Sequence, residues 1–199
     1  MEAATTVVTH RPWAALLRSV GLAVVAFALE GAAPMECRAQ TDAQSAEYRV
    51  KAAFLYKFLP FVEWPPQVFE RADSPIVIGV LGAEPLADEL ETIVATRTAH
   101  ERRVVARRLR PGDPVAGVHV LFVGRAHSAR LPAIVAASRG QPLLTVSETD
   151  DDASSGVINF VVLEDRVRFD IALPQAELAR LKISSRLLAL ARRVLPGAG

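Results

Sequence analysis

The sequence predicts an α/β fold: a mixed, mostly parallel sheet with helices on both faces, closed by a C-terminal β-hairpin plus helix. Three observations carry this reading. Ile76-Val77-Ile78-Gly79-Val80-Leu81 is a continuous run of strand length, rich in β-branched residues, as in a strand covered on both faces. Runs of this kind then alternate with helical stripes, which implies crossover connections and parallel pairing. Residues 157–163 and 167–172, by contrast, are separated only by Glu164-Asp165-Arg166, a link short enough only for a hairpin.

The 199 residues carry 23 basic and 22 acidic side chains and are 51% hydrophobic, an ordinary globular balance with material for one sizeable core. A formal charge of +1 gives no reason to expect nucleic acid as a partner. Residues 1–39 read as an export signal. His10, Arg11 and Arg18 form a positive start, 20–29 is an uninterrupted apolar stretch, and Cys37-Arg38-Ala39 precedes the expected cut after Ala39. Ten apolar residues stopped by Glu30 fall short of the roughly 20 needed to span a bilayer. An uncleaved N-terminal anchor is the alternative. Lipidation at Cys37 is disfavoured by Pro34-Met35-Glu36 before it. The only cysteine leaves with the signal, and a domain of this length can stand on packing without disulfides.

Residues 40–46 are polar and are expected to be a disordered lead-in to a domain at 47–194, with 195–199 as a tail. The first ordered element is expected at 50–64. Of the eight Phe, two Trp and two Tyr in the chain, seven lie between Tyr48 and Phe69, a density that marks a core element. Val50, Phe54, Leu55, Phe58, Phe61 and Val62 make one stripe, and Ala52, Ala53, Tyr56 and Leu59 make the opposite side apolar as well, so most faces should be covered. Lys51 and Lys57 project from or beside that stripe, where an ammonium needs a carboxylate or carbonyl partner or must reach water. Pro60 should kink the helix and Trp64-Pro65-Pro66 should end it.

After strand 76–81, Gly82-Ala83-Glu84-Pro85 turns the chain into a helix whose stripe is Leu86, Leu90, Ile93 and Val94. Further strands are expected at 103–109, 118–123 and 142–147, with a helix between the last two marked by Leu131, Ile134 and Val135. In the second hairpin strand Val167, Phe169 and Ile171 alternate with Arg168 and Asp170, which predicts one buried and one wet face. The stripe over 174–193 changes direction. That shift predicts a short helix at 175–180, extended Leu181-Lys182-Ile183, and a last helix capped by Ser184 and running to about Arg193.

Most chemical constellations read as bland. His100, His119 and His127 are scattered, so no metal site is expected, and His119 between Val118 and Val120 reads as a satisfied buried histidine. There is no Gly-x-Ser-x-Gly nucleophile motif, and Gly79-Val80-Leu81-Gly82 lacks dinucleotide spacing, so neither an enzyme nor a cofactor is expected. The acidic run Glu148-Thr149-Asp150-Asp151-Asp152 lacks the spacing of a calcium loop. Six arginines between Arg97 and Arg110 read as a solvated strand face, with Arg103 and Arg107 as candidates for docking an acidic partner or anionic headgroups. Open α/β sheets bind ligands beyond the carboxyl ends of their strands, which nominates Gly82, Glu84, Ser147 and Glu148 for a small-molecule pocket. Trp64 and Phe69, at the far end of the aromatic helix, are the candidates for an uncovered partner surface.

Taken in order, Lys51-Ala52-Ala53-Phe54-Leu55-Tyr56-Lys57-Phe58 at the start, Gly156-Val157-Ile158-Asn159-Phe160 and Val167-Arg168-Phe169-Asp170-Ile171 in the hairpin, and Lys182-Ile183-Ser184-Ser185 near the end resemble the YfiR/HmsC-like family of bacterial periplasmic regulators. The likeness covers essentially all of 47–194. It implies a non-catalytic protein that binds the periplasmic part of an inner-membrane diguanylate cyclase or sensor protein and holds it inactive, thereby lowering cyclic di-GMP and biofilm formation. Members that sense redox state carry cysteine pairs, and the expected mature chain has none. Lys51, Lys57, Asn159, Arg168, Lys182 and Ser184 match family motifs and are expected to be structural polar residues. A periplasmic small-ligand binder that relays its occupancy to a sensor kinase or transporter is the rival reading, and a homodimer is left open.

Overall fold

The computed structural model describes residues 35–149 and 156–196, with side chains from residue 42 onward. Residues 1–34 of the expected signal sequence at 1–39, and the acidic residues Asp150, Asp151 and Asp152, lie outside the described residues. Gln44 onward forms one compact unit.

Helix α1 spans Met35–Phe58, so it begins well before Val50 and runs through the stretch expected to be a disordered lead-in. Gln40, Ala43, Gln44 and Ala46 are good helix formers, and extending a helix already anchored at its far end is easier than nucleating one. The helix also stops earlier than expected. Pro60 has no N–H to continue the ladder, and Leu59–Phe61 tightens into a 3-10 turn. The chain then extends as β1 (Val62–Glu63). Ala52, Leu55 and Phe58 of α1 are buried, whereas Val50 and Lys57 are exposed, so Lys57 reaches water and is not paired inside.

The main sheet holds β2 (Ile76–Leu81), β3 (Thr98–Ala99), β4 (Arg102–Leu109), β5 (Val120–Val123), β6 (Leu144–Ser147), β7 (Ile158–Leu163), β8 (Arg166–Ala172) and β10 (Arg193–Leu195). Their spatial order is β10-β8-β7-β6-β5-β2-β4-β3. Pairing is parallel from β4 through β2, β5 and β6 to β7, and antiparallel in the β7–β8 hairpin and the β3–β4 edge. The sheet is thus mixed and mostly parallel, as the sequence predicts. A separate two-stranded ribbon pairs β1 with β9 (Lys182–Ile183).

Helices α2 (Glu84–Val94) and α3 (Leu131–Ala137) cover opposite faces. The larger core joins α1, α2, the inner side of β2, β5, β6, β7 and β8, and Ala176 of α4 (Leu173–Leu178). Within it Phe54, Phe58, Phe160 and Phe169 form a ring cluster, with Phe58 and Phe169 edge to face at 4.9 Å. The smaller core under α3 collects Leu81, Leu109, Leu121, Val123 and Leu131.

The C-terminus departs from expectation. Helix α5 (Ser185–Leu190) ends short of Arg193 because β10 adds to the sheet in parallel beside β8. Asp170, expected on a wet face, is 5% exposed and takes the guanidinium groups of Arg192 and Arg193. Burial alone would raise its carboxyl, but the hydrogen bonds from Arg192 and Arg193 outweigh burial and hold it below the usual carboxylate value.

Candidate functional site

Strand order reverses at β2. Its crossover through α2 leads to β4 on one side, and β5 joins on the other with α3 on the opposite face. The crevice beyond the carboxyl ends of β2, β5 and β6 is where an open α/β sheet would hold a ligand. Here the chain fills that crevice itself. Gly82 has φ +74, and a Cβ there would sit 2.3 Å from the His127 ring; a Cβ on Gly124 would sit 2.5 Å from the Gly82 carbonyl. Only glycine lets the two loops close on each other this tightly.

Glu148 occupies the same edge, just past β6. Asn159 places it: its Oδ1 accepts from Ser147 Oγ and from the Thr149 N–H, and its Nδ2 donates to the Thr149 carbonyl, each at 2.9 Å. These bonds fix the backbone on both sides of Glu148. Its carboxylate accepts the Arg125 N–H at 2.8 Å, the Tyr48 hydroxyl at 3.5 Å and the Lys51 ammonium. Lys51 and Glu148 are 1% and 2% exposed, and Lys51 also donates to Glu47 one helical turn earlier. Burial, then the charges of Glu148 and Glu47, push the Tyr48 hydroxyl above its ordinary value. The arrangement fastens α1 to the sheet. Among the described residues no group of three His, Cys, Asp or Glu could hold a metal.

Of the residues nominated for a ligand pocket, Gly82, Ser147 and Glu148 come together here, but inside a filled crevice. Glu84 does not join them. It is exposed and pairs with Arg108, which also takes Asp88 and Glu91 of α2.

The nominated partner residues are scattered more widely. Trp64 is 9% exposed, so the expectation of an uncovered ring is corrected: Val62 and Leu59 are buried beside it and its indole N–H donates to the His119 carbonyl. Phe69 is partly buried, stacked on the His119 ring at 4.8 Å, with the Arg102 guanidinium 3.9 Å from its centroid. His119 Nδ1 accepts the Val77 N–H, so this is a satisfied buried histidine. Burial, then the Arg102 charge, lowers its pKa. The arginine-rich run does not form one basic face, because strand alternation divides it. Arg102 and Arg108 lie on the Val104 side with α2; Arg103 is exposed on the other side, where Arg107 braces the Pro114 and Ala116 carbonyls.

The sequence profile of the YfiR/HmsC-like family matches residues 48–192. The chain belongs to that family. Among curated proteins no sequence matches it. The span matched by the YfiR/HmsC-like profile begins with Tyr48 and closes with Arg192, so it takes in Lys51, Glu148 and Asn159 as well as the Asp170–Arg192 pair.

Within this YfiR/HmsC-like domain the other motif residues have varied surroundings. Ser184 caps α5, its hydroxyl accepting from the Arg186 N–H at 3.3 Å. Lys182 is exposed opposite Glu63 in the β1–β9 ribbon, and Arg168 is exposed on β8. Sequence reasoning missed Glu47, although Glu47–Lys51 has the i,i+4 order that favours pairing. Arg125 contributes through its backbone N–H, a role that leaves no mark in side-chain identity.

Proposed function

We propose that this protein is an exported, non-catalytic regulator that binds a membrane signalling protein and represses it, the partner being the periplasmic part of an inner-membrane diguanylate cyclase. The observation that carries this is membership of the YfiR/HmsC-like family across residues 48–192, a regulatory family that works through protein contacts. The self-filled crevice supports it, since the usual ligand position of an open sheet is taken by Lys51, Glu148 and His127. Export rests on the leader read at 1–39. No helix among the described residues is long and apolar enough to cross a membrane.

Repression follows from differential affinity. The cyclase must bind this protein better in its inactive than in its active state, or binding shifts nothing. The proposed contacts are Arg103 and Val105 on the side of β4 away from α2, where Val105 is 40% exposed, with Arg107 bracing the adjoining loop. Phe69 is the second candidate; Trp64 supports it from within. Two measurements test the reading: affinity capture from membranes should recover a protein with a diguanylate cyclase domain, and deletion of the gene should raise cyclic di-GMP. Unchanged cyclic di-GMP on deletion would sink it.

A further inference from the structure

The amino edge of the sheet is built unlike the carboxyl edge. Between the Trp64–Phe69 segment and the Arg180–Lys182 segment lies an open cleft of about 650 Å³, walled by Trp64, Pro65, Pro66 and Phe69. A second hollow of about 510 Å³ adjoins it and shares Pro65, Gln67 and Arg180. Three permanent cations line the first cleft, Arg102, Arg180 and Lys182, against one carboxylate, Glu63. Among the described residues none of the three cations forms an ion pair. Glu63 stands directly opposite Lys182 in the ribbon, and no salt bridge joins them.

Two of these cations are held in place. Arg102 Nη1 donates to the Arg71 and Ser74 carbonyls at 3.0 and 2.8 Å, and its guanidinium lies against the Phe69 ring. That fixes the group at little further entropic loss on binding. Arg180 is held by the backbone. It follows α4 with φ +53, while the Leu181 N–H bonds to the Ala176 carbonyl and the Arg180 N–H to the Glu177 carbonyl, each at 2.9 Å. This is the left-handed helix stop that glycine takes most easily. The other positive-φ residues that are not glycine, His100-Glu101 and Glu164-Asp165, are explained by two-residue hairpin turns between β3 and β4 and between β7 and β8. Arg180 has no such hairpin to explain it. An arginine is kept where its backbone is strained, and its side chain, bonded to the Gly140 carbonyl, borders both hollows.

We propose that this cleft is a binding site for a small polyanion, a soluble molecule bearing two or more phosphate or carboxylate groups, with Arg102, Arg180 and Lys182 as its anchoring cations. Guanidinium groups match both anions through paired hydrogen bonds, and an ammonium adds a point charge. The site lies apart from the exposed face of β4 but shares Phe69 with the second candidate contact of the repressor reading, and its test needs no cyclase.

Isothermal titration of the full chain with pyrophosphate and with citrate, at constant ionic strength, tests it and separates the phosphate from the carboxylate source. Saturable binding of one probe at one site per chain is expected. Arg180→Gly should weaken that binding at least tenfold while leaving the melting temperature equal or higher, because the strain at φ +53 is relieved. Arg103→Ala, outside the cleft, should leave affinity unchanged. Absence of saturable binding by either probe overturns the proposal, and so does equal weakening by Arg103→Ala, which would signify diffuse charge attraction only. If Arg180→Gly lowers the melting temperature, that arginine serves the fold, and exposed Lys182→Glu decides: unchanged affinity in that variant overturns the site.

Discussion

The carboxyl and amino edges of one sheet carry opposite arrangements of charge. At the carboxyl edge a lysine and a glutamate are buried together, with Tyr48, Glu47 and the Arg125 N–H completing their hydrogen bonds. At the amino edge three cations face an open cleft without carboxylate partners among the described residues. The physics differs accordingly. A buried pair is weak evidence for net stabilisation, yet removing one member leaves a charge in a medium that solvates it poorly. Arg180 and Lys182 are exposed and solvated whether or not a ligand is present, so their loss falls on binding and hardly on folding. The closed edge therefore belongs to stability, and the open edge is free for recognition.

Variants separate the edges. The largest effect is expected from Lys51→Met, which strands Glu148 and should cost about 3–5 kcal/mol in urea unfolding. Adding Glu148→Gln to that variant should recover most of the loss; no recovery would mean that Lys51 acts through packing of its stem and not through the pair. Trp64→Ala comes next, at about 3 kcal/mol, because it empties a core position and removes one of the two donors to the His119 carbonyl, leaving the Leu144 N–H. A near-neutral unfolding free energy for Trp64→Ala would return the ring to the surface role expected from sequence.

Acid should act in two stages. His119 titrates lower in the folded than in the unfolded chain, owing to burial and Arg102, so unfolding takes up protons. Its contribution is complete above about pH 6.5 and declines as pH falls below that value. Asp170 is likewise depressed, by Arg192 and Arg193 acting against burial, and its contribution is lost only below about pH 4, as pH falls through the folded value. Urea midpoints from pH 8 to 3 should show both declines. In His119→Asn, whose side-chain oxygen can replace Nδ1 as acceptor for the Val77 N–H, the first should vanish and the second persist. The smallest shift belongs to the open edge. Arg180→Gly should change stability by no more than about 1 kcal/mol, in the stabilising direction, as relief of a left-handed arginine is partly offset by the freer unfolded chain.

Much of the framework was legible because it depends on local pattern. The run Ile76–Leu81 could only be a covered strand, the short link after Leu163 forced a hairpin, and the change of stripe after Leu181 located the break and the Ser184 cap. The apolar surroundings of Lys51 likewise demanded a partner without revealing which. The helix boundaries were less legible. The sequence reading put the start of α1 at Val50, but the helix continues back to Met35, and it leaves α geometry at Leu59, just before Pro60 and ahead of the Trp64-Pro65-Pro66 stop.

Sequence by itself determined the order of the main strands and helices, the mixed sheet and the family, since periodicity, turn residues and motif spacing are written along the chain, while the short strands β1, β3 and β10 left no such pattern. Only the tertiary structure decided where the charges went. Lys51 and Glu148 are 97 positions apart, and Asp170 and Arg192 are 22 apart; whether such groups are paired and buried or left in water depends on which strands become neighbours. Asp170 reads as wet until β10 is laid beside β8, and the basic run reads as one face until strand alternation divides it between two. Burial is a property of the assembled layers, and a linear pattern specifies a face without specifying what will cover it.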